Sequence, residues 1–130
     1  MKVILYENSE THAGVSLRRM IEDGLPEADI SFFSSLDRLS DRLRRPLHHV
    51  SVAVFLMASG HEGQKVKSMR TLLEDIRTIL VLPDRAVETA TLGIEMKASF
   101  TTYMDSDLQD VVSVLQKISR QHPIIPIRIH

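Results

Sequence analysis

The chain has 130 residues, 43% of them hydrophobic and 25% charged, a balance that fits one globular domain and argues against a disordered or membrane-embedded chain. A formal net charge of -1 gives no broad field toward nucleic acid or acidic lipid. With no cysteine there are no disulfides, thiolate metal sites or cysteine nucleophiles, which suits a cytoplasmic location, and no apolar run has the length of a signal peptide or a membrane span.

Val3, Ile4, Leu5 and Tyr6 form a short apolar run of β-favouring residues ended by Glu7, Asn8 and Ser9, which predicts a buried strand. Ala13, Leu17, Met20 and Ile21 then share one helical face that stops at Gly24, with Pro26 beyond. Residues 29–33 read as a second, weaker strand. Ser34 and Ser35 can cap a helix carrying Leu36, Leu39 and Leu43, and Pro46 ends it. Residues 50–57 are apolar on both faces, as expected of a central parallel strand covered on two sides. After Gly60 and Gly63, a third helix is expected with Val66, Met69, Leu73 and Ile76 along it. Residues 78–82 give a fourth strand, closed by Pro83 and Asp84. Val87, Ala90 and Ile94 mark the apolar face of a short fourth helix, weakened by Thr89, Thr91 and Gly93. Residues 98–103 are more polar and read as a strand at a sheet edge. Ser106 to Gln109 fits a capping box, and the last helix carries Leu108, Val111, Val112, Leu115 and Ile118 on one face.

Five β-α units with short connections imply a parallel sheet with right-handed crossovers and helices on both faces. The expected architecture is a three-layer αβα sandwich whose five-stranded sheet has the flavodoxin-like order 2-1-3-4-5. Residues 1–120 make this domain, and residues 121–130 form a tail. Two prolines forbid a helix there, and its four isoleucines favour packing on the domain or on a dimer mate.

Over residues 2–120 this pattern resembles the CheY-like receiver domain of bacterial two-component response regulators. The likeness rests on unit order and on local stretches: residues 2–8 resemble the opening strand and its acidic pair, residues 52–63 the third strand and its Gly-rich loop, and residues 97–104 the lead into the fifth strand. In that family two acidic residues hold Mg²⁺, an Asp accepts the phosphoryl group, and a Ser or Thr hydroxyl and a Lys bind its oxygens. A hard cation and an ammonium are needed to offset the charge that gathers there. The resemblance puts Glu7 and Asn8 at the acidic pair, Phe55 at the phosphoacceptor (Leu56 after a one-residue slip), Leu82 or Pro83 at the hydroxyl and Met104 at the lysine. Nucleophile, hydroxyl and ammonium are lost together.

The resemblance, with those losses, implies a pseudo-receiver: rigid, constitutive, without catalysis, cofactor or metal, and acting through a protein partner, with a homodimer expected. By the same resemblance the output face is that of the fourth helix, fifth strand and fifth helix, with Tyr103 beside Glu95, Thr101 and Asp110.

The alternative is a metal or small-ligand site, sensor or enzyme, built from Glu7, His61, Asp84 and Asp105 at the carboxyl edge of the sheet; Glu7, Asp84 and Asp105 are its metal candidates. Polar loops meeting water account for the same residues. A true receiver using Asp84 or Asp105 as acceptor is disfavoured, because neither follows the third strand. Ser59, His61 and Glu62 sit too close along one loop for a triad and lack a nucleophile elbow. The basic cluster of Arg38, Arg42, Arg44, Arg45, His48 and His49 lacks the interleaved aromatics of a nucleic-acid patch and reads as a solvated helix end or an acidic-partner contact. His48 and His49 lack a partner at zinc-ligand spacing, Gly60 and Gly63 match no phosphate-binding fingerprint, and Tyr6 and Tyr103 offer little stacking for a flavin.

Overall fold

The computed structural model describes residues 1–8, 12–46, 50–59 and 62–121. Its elements are β1 (Lys2–Glu7), α1 (His12–Gly24), β2 (Asp29–Phe33), α2 (Leu36–Leu43), β3 (Val50–Leu56), α3 (Glu62–Lys67), a 3-10 turn (Arg70–Leu73), β4 (Arg77–Leu82), α4 (Val87–Glu95), β5 (Phe100–Tyr103) and α5 (Gln109–Gln121). The strands form one parallel sheet in the order β2-β1-β3-β4-β5. The expected αβα sandwich is therefore the observed one. The tail beyond residue 121, His48, His49, Gly60 and His61 lie outside the described residues.

Alternation along the strands feeds two apolar layers. Val3 and Leu5 of β1, Val54 and Leu56 of β3 and Ile79 and Val81 of β4 meet Leu17 and Ile21 of α1 and Val111, Val112, Leu115 and Ile118 of α5. On the opposite face Ile4, Tyr6, Phe55, Leu80 and Leu82 meet α2 through Leu39 and Leu43, α3 through Val66, and α4 through Leu92. A strand whose neighbouring residues enter different layers must be apolar at every position, which is why β3 and β4 carry no alternating polar face.

Helix ends are set by several devices. The Ser35 hydroxyl caps α2, accepting from the Arg38 N–H at 3.4 Å. At α5 the capping oxygen belongs to Asp107, which accepts from the Gln109 N–H at 2.9 Å, and not to the expected Ser106. Gly24 closes α1 through proximity: a Cβ there would lie 2.5 Å from Val112 Cγ1, and its carbonyl accepts from Gln116 Nε2 at 3.0 Å. The helix α4 ends in a Schellman motif, with Ala98 N–H donating to Gly93 O and Lys97 N–H to Ile94 O. Lys97 carries the left-handed residue of that motif, at φ 54°.

Two expectations are corrected. The third helix is only six residues, followed by a 3-10 turn, although Val66, Met69, Leu73 and Ile76 are all buried as expected. The Ser68 hydroxyl donates to the Lys65 carbonyl at 2.6 Å, and Met69 N–H bonds Val66 O, so the ladder tightens there. In α4 the expected apolar face is the outer one: Val87 is 74% and Ile94 78% exposed, while Thr89, Leu92 and Met96 are buried. Gly93 decides the rotation, because it is the residue that sits against Thr101 of β5, where a Cβ would come within 2.7 Å of Thr101 Oγ1.

Candidate functional site

At the carboxyl edge the register pairs Tyr6 with Phe55 and Glu7 with Leu56. Paired residues of neighbouring strands point to the same face, so Leu56 is the neighbour of Glu7. Phe55 belongs to the other layer, its ring centroid 5.9 Å from that of Tyr6. The alternative position one residue on is thus the one beside the acidic residue. The change is without chemical effect, since Phe55, Leu56 and Met57 are all at most 1% exposed and all apolar.

Glu7 is 2% exposed and its carboxylate lies against Gly14 in the first turn of α1. Asn8 is exposed. Leu82 is fully buried in the Phe55 layer, Pro83 is half-buried, and Met104 packs on the layer of α1 and α5. The six residues of the expected degenerate pocket therefore divide between the two faces of the sheet.

The remaining acidic candidates are engaged separately. Asp84 accepts from the Ala86 N–H at 2.9 Å, closing a local turn ahead of α4. Asp105 accepts from Arg85 Nη1 at 2.7 Å, which holds its carboxyl below the usual carboxylate range and raises the pKa of the Arg85 guanidinium. Arg85 also lies over the Tyr103 ring, 4.2 Å from its centroid. Among the described residues no three acidic or histidine side chains form a metal-sized group.

Of the residues expected on a partner surface, Thr101 and Tyr103 share one side of β5, and Thr101 carries Gly93 of α4. Glu95, at the end of α4, pairs with Lys67 Nζ at 2.6 Å. Asp110 stands exposed in the first turn of α5, which packs on the opposite layer. Three of the four thus gather beside α4 and β5, and Tyr103 is covered by Arg85.

Sequence reasoning misses a polar cleft of about 320 Å³ at the same edge, lined by side chains that include Tyr6, Ser34, Ser35, Asp37, Glu62 and Lys65. Its wall is fixed by Glu62, which accepts from the Tyr6 hydroxyl at 3.1 Å and from the Ala58 N–H at 2.9 Å. Burial and the Glu62 carboxylate push the Tyr6 hydroxyl well above its ordinary pKa of 10.0. The capping pair Ser34-Ser35 is visible in sequence, but the approach of α3 to it is not.

No family model matches the chain, and no curated protein matches it in sequence. Solved structures do match in shape. A CheY-like response regulator receiver domain from Methanospirillum hungatei superposes with TM-score 0.71 at 10% identity, covering 92% of this chain and 94% of its own. A protein described as the pilus assembly protein CpaE, from Burkholderia thailandensis, gives TM-score 0.69 at 11% identity, covering 93% and 99%. A response regulator protein from Burkholderia pseudomallei, with a phosphorylated aspartic acid, gives 0.64 at 13% identity, covering 95% and 76%. Strand order, layering and these superpositions agree: the chain has the fold of the receiver domain.

Proposed function

We propose that this chain is a phosphorylation-independent receiver-like module that works by binding another protein in bacterial signal transduction, with no catalysis of its own. The observation that carries the reading is the carboxyl end of β3. At the positions that the resemblance matches to a receiver's phosphoacceptor, Phe55, Leu56 and Met57 are buried at 1% exposure or less, which supports the reading. A carboxylate in that packing would be desolvated without a paired charge, which is costly. The Mg²⁺ of a receiver does not fit either. A hard divalent ion wants several oxygen ligands, and among the described residues the carboxylates near the strand ends are engaged apart: Glu7 is turned against Gly14, Asp84 accepts from Ala86 N–H and Asp105 from Arg85.

A partner face on α4 and β5 suits the same reading. Val87 and Ile94 stand outward on α4, and apolar side chains so exposed favour a covering surface. That partner is another protein, with a second copy of the chain as the first to examine by mass measurement in solution. Several neighbours in shape serve signalling, and one is described as a pilus assembly protein, which supports use of this fold as a docking part.

The test is an amide NMR titration with Mg²⁺, then with Mg²⁺ and beryllofluoride, a mimic of the acyl phosphate. Unmoved resonances at residues 7–8, 55–57 and 82–84 are expected. Saturating shifts centred there would overturn the proposal.

A further inference from the structure

The cleft missed in sequence lies at the carboxyl ends of β1 and β2, where open α/β sheets place ligands. Its size sits at the small end of ligand pockets. Two of its lining side chains carry opposite charges that stay apart. Asp37 of α2 and Lys65 of α3 are both exposed, and among the described residues neither forms an ion pair with the other or with any other side chain. Part of the lining is built in advance. Glu62 is held by two hydrogen bonds, one from the hydroxyl of Tyr6, itself 2% exposed, and Ser35 is fixed as the cap of α2.

These features choose among ligands by charge. A pure anion would meet Lys65 but also the Asp37 and Glu62 carboxylates. A pure cation would meet the carboxylates but also Lys65. A molecule carrying both charges satisfies both walls, and hydrogen-bonding groups on the rim suit its polar ends. We propose that this cleft binds a small zwitterion of amino-acid-like size, its anionic group on Lys65 and the Ser34 and Ser35 hydroxyls and its ammonium on Asp37. The site shares no residue with the apolar end of β3 and does not rest on the function proposed above.

The experiment is an amide NMR titration of the full chain with three zwitterions, β-alanine, L-alanine and O-phosphoethanolamine, against acetate and methylammonium as singly charged controls. Saturable shifts at residues 34–37 and 62–65 are expected with at least one zwitterion, at roughly millimolar affinity for so small a ligand. Lys65→Gln and Asp37→Asn, both at exposed positions, should each weaken that binding by about tenfold or more with the spectrum otherwise preserved. Silence with all three zwitterions, equal binding of either singly charged control, or unchanged affinity in both variants would overturn the proposal. Asn8 lines the cleft and is read by both titrations, so the two proposals are told apart at residues 55–57 and 82–84 on one side and 34–37 and 62–65 on the other.

Discussion

Gly14→Ala is expected to destabilise the protein, against the ordinary preference of helices for alanine. Gly14 lies in the first turn of α1, where alanine is worth up to about 1 kcal/mol over glycine. The new Cβ, however, would overlap Glu7 Oε1 and stand 2.7 Å from Glu7 Cδ, and Glu7 is 2% exposed. Driving a buried carboxylate off its hydrogen-bonding contacts costs about 1.5–3 kcal/mol. The net loss should be about 1–2 kcal/mol. In a Glu7→Ala background the obstruction is gone, so the same Gly14→Ala change should turn neutral or stabilising. The coupling between the two sites is then about 1.5–3 kcal/mol. Urea unfolding of the four proteins at neutral pH, with unchanged m-values, measures it. Effects that add to within about 0.5 kcal/mol would refute the reasoning. A second outcome speaks to function. A Glu7 committed to α1 is not a waiting metal ligand, so Mg²⁺ should leave the wild-type midpoint where it is.

Lys97→Gly should stabilise by about 1 kcal/mol, because a left-handed residue at φ 54° carries a steric penalty that glycine lacks; thermal unfolding should shift upward by about 4 °C. Phe55→Ala should cost about 3–5 kcal/mol by opening a cavity under Tyr6, read from the urea midpoint; a loss below about 1 kcal/mol would mean that β3 ends in loose packing. Tyr6 has its folded pKa raised above 10.0, so the unfolded chain loses that proton first. Stability should therefore be untouched by Tyr6 below pH 10 and fall above it, by somewhat less than about 1.4 kcal/mol per pH unit since the hydroxyl borders an open cleft. Tyr6→Phe should flatten that alkaline limb. Asp105 has its folded pKa lowered by Arg85, so its contribution is present at neutral pH and lost as pH falls below 3.8 through the folded value. The Tyr103 ring resonances should move in that acid window and stay still in Asp105→Asn.

The sheet is legible in sequence because its chemistry is redundant. Residues 29–33 and 50–57 carry enough β-branched and aromatic side chains that their strands are found within a residue of expectation. Helix faces are legible only where burial is one-sided. All five apolar positions expected on the inner face of α5 are buried, whereas the apolar spacing of α4 points to its outer face. Periodicity reports that Val87 and Ile94 share a face, and cannot report that a glycine contact elsewhere has taken the inner one. The same limit explains α3. Its four apolar residues are in the core, but a serine bonding back to a carbonyl shortened the helix that carries them.

The site divides along a similar line. The apolar end of β3 can be read directly, since no register turns Phe55, Leu56 or Met57 into a carboxylate. Which of them stands beside Glu7 needs the pairing of β1 with β3, because a one-residue slip moves a side chain to the other layer. The charged cleft needs more still. Its parts come from β1, the turn after β2, the start of α2 and α3, and no short segment contains both Asp37 and Lys65. The consequence is a division of labour at one edge of the sheet. Burying Phe55 and Leu82 in one layer and Leu56 in the other contributes roughly 1.5–3 kcal/mol per side chain. Two pairs of opposite charge stand outward at this edge, Asp37 and Lys65 on one side and Arg85 and Asp105 on the other. Beside β5 the pair is already closed, and Arg85 lies over the Tyr103 ring. Beside β1 and β2 it is open, which is where a ligand can still act on this fold.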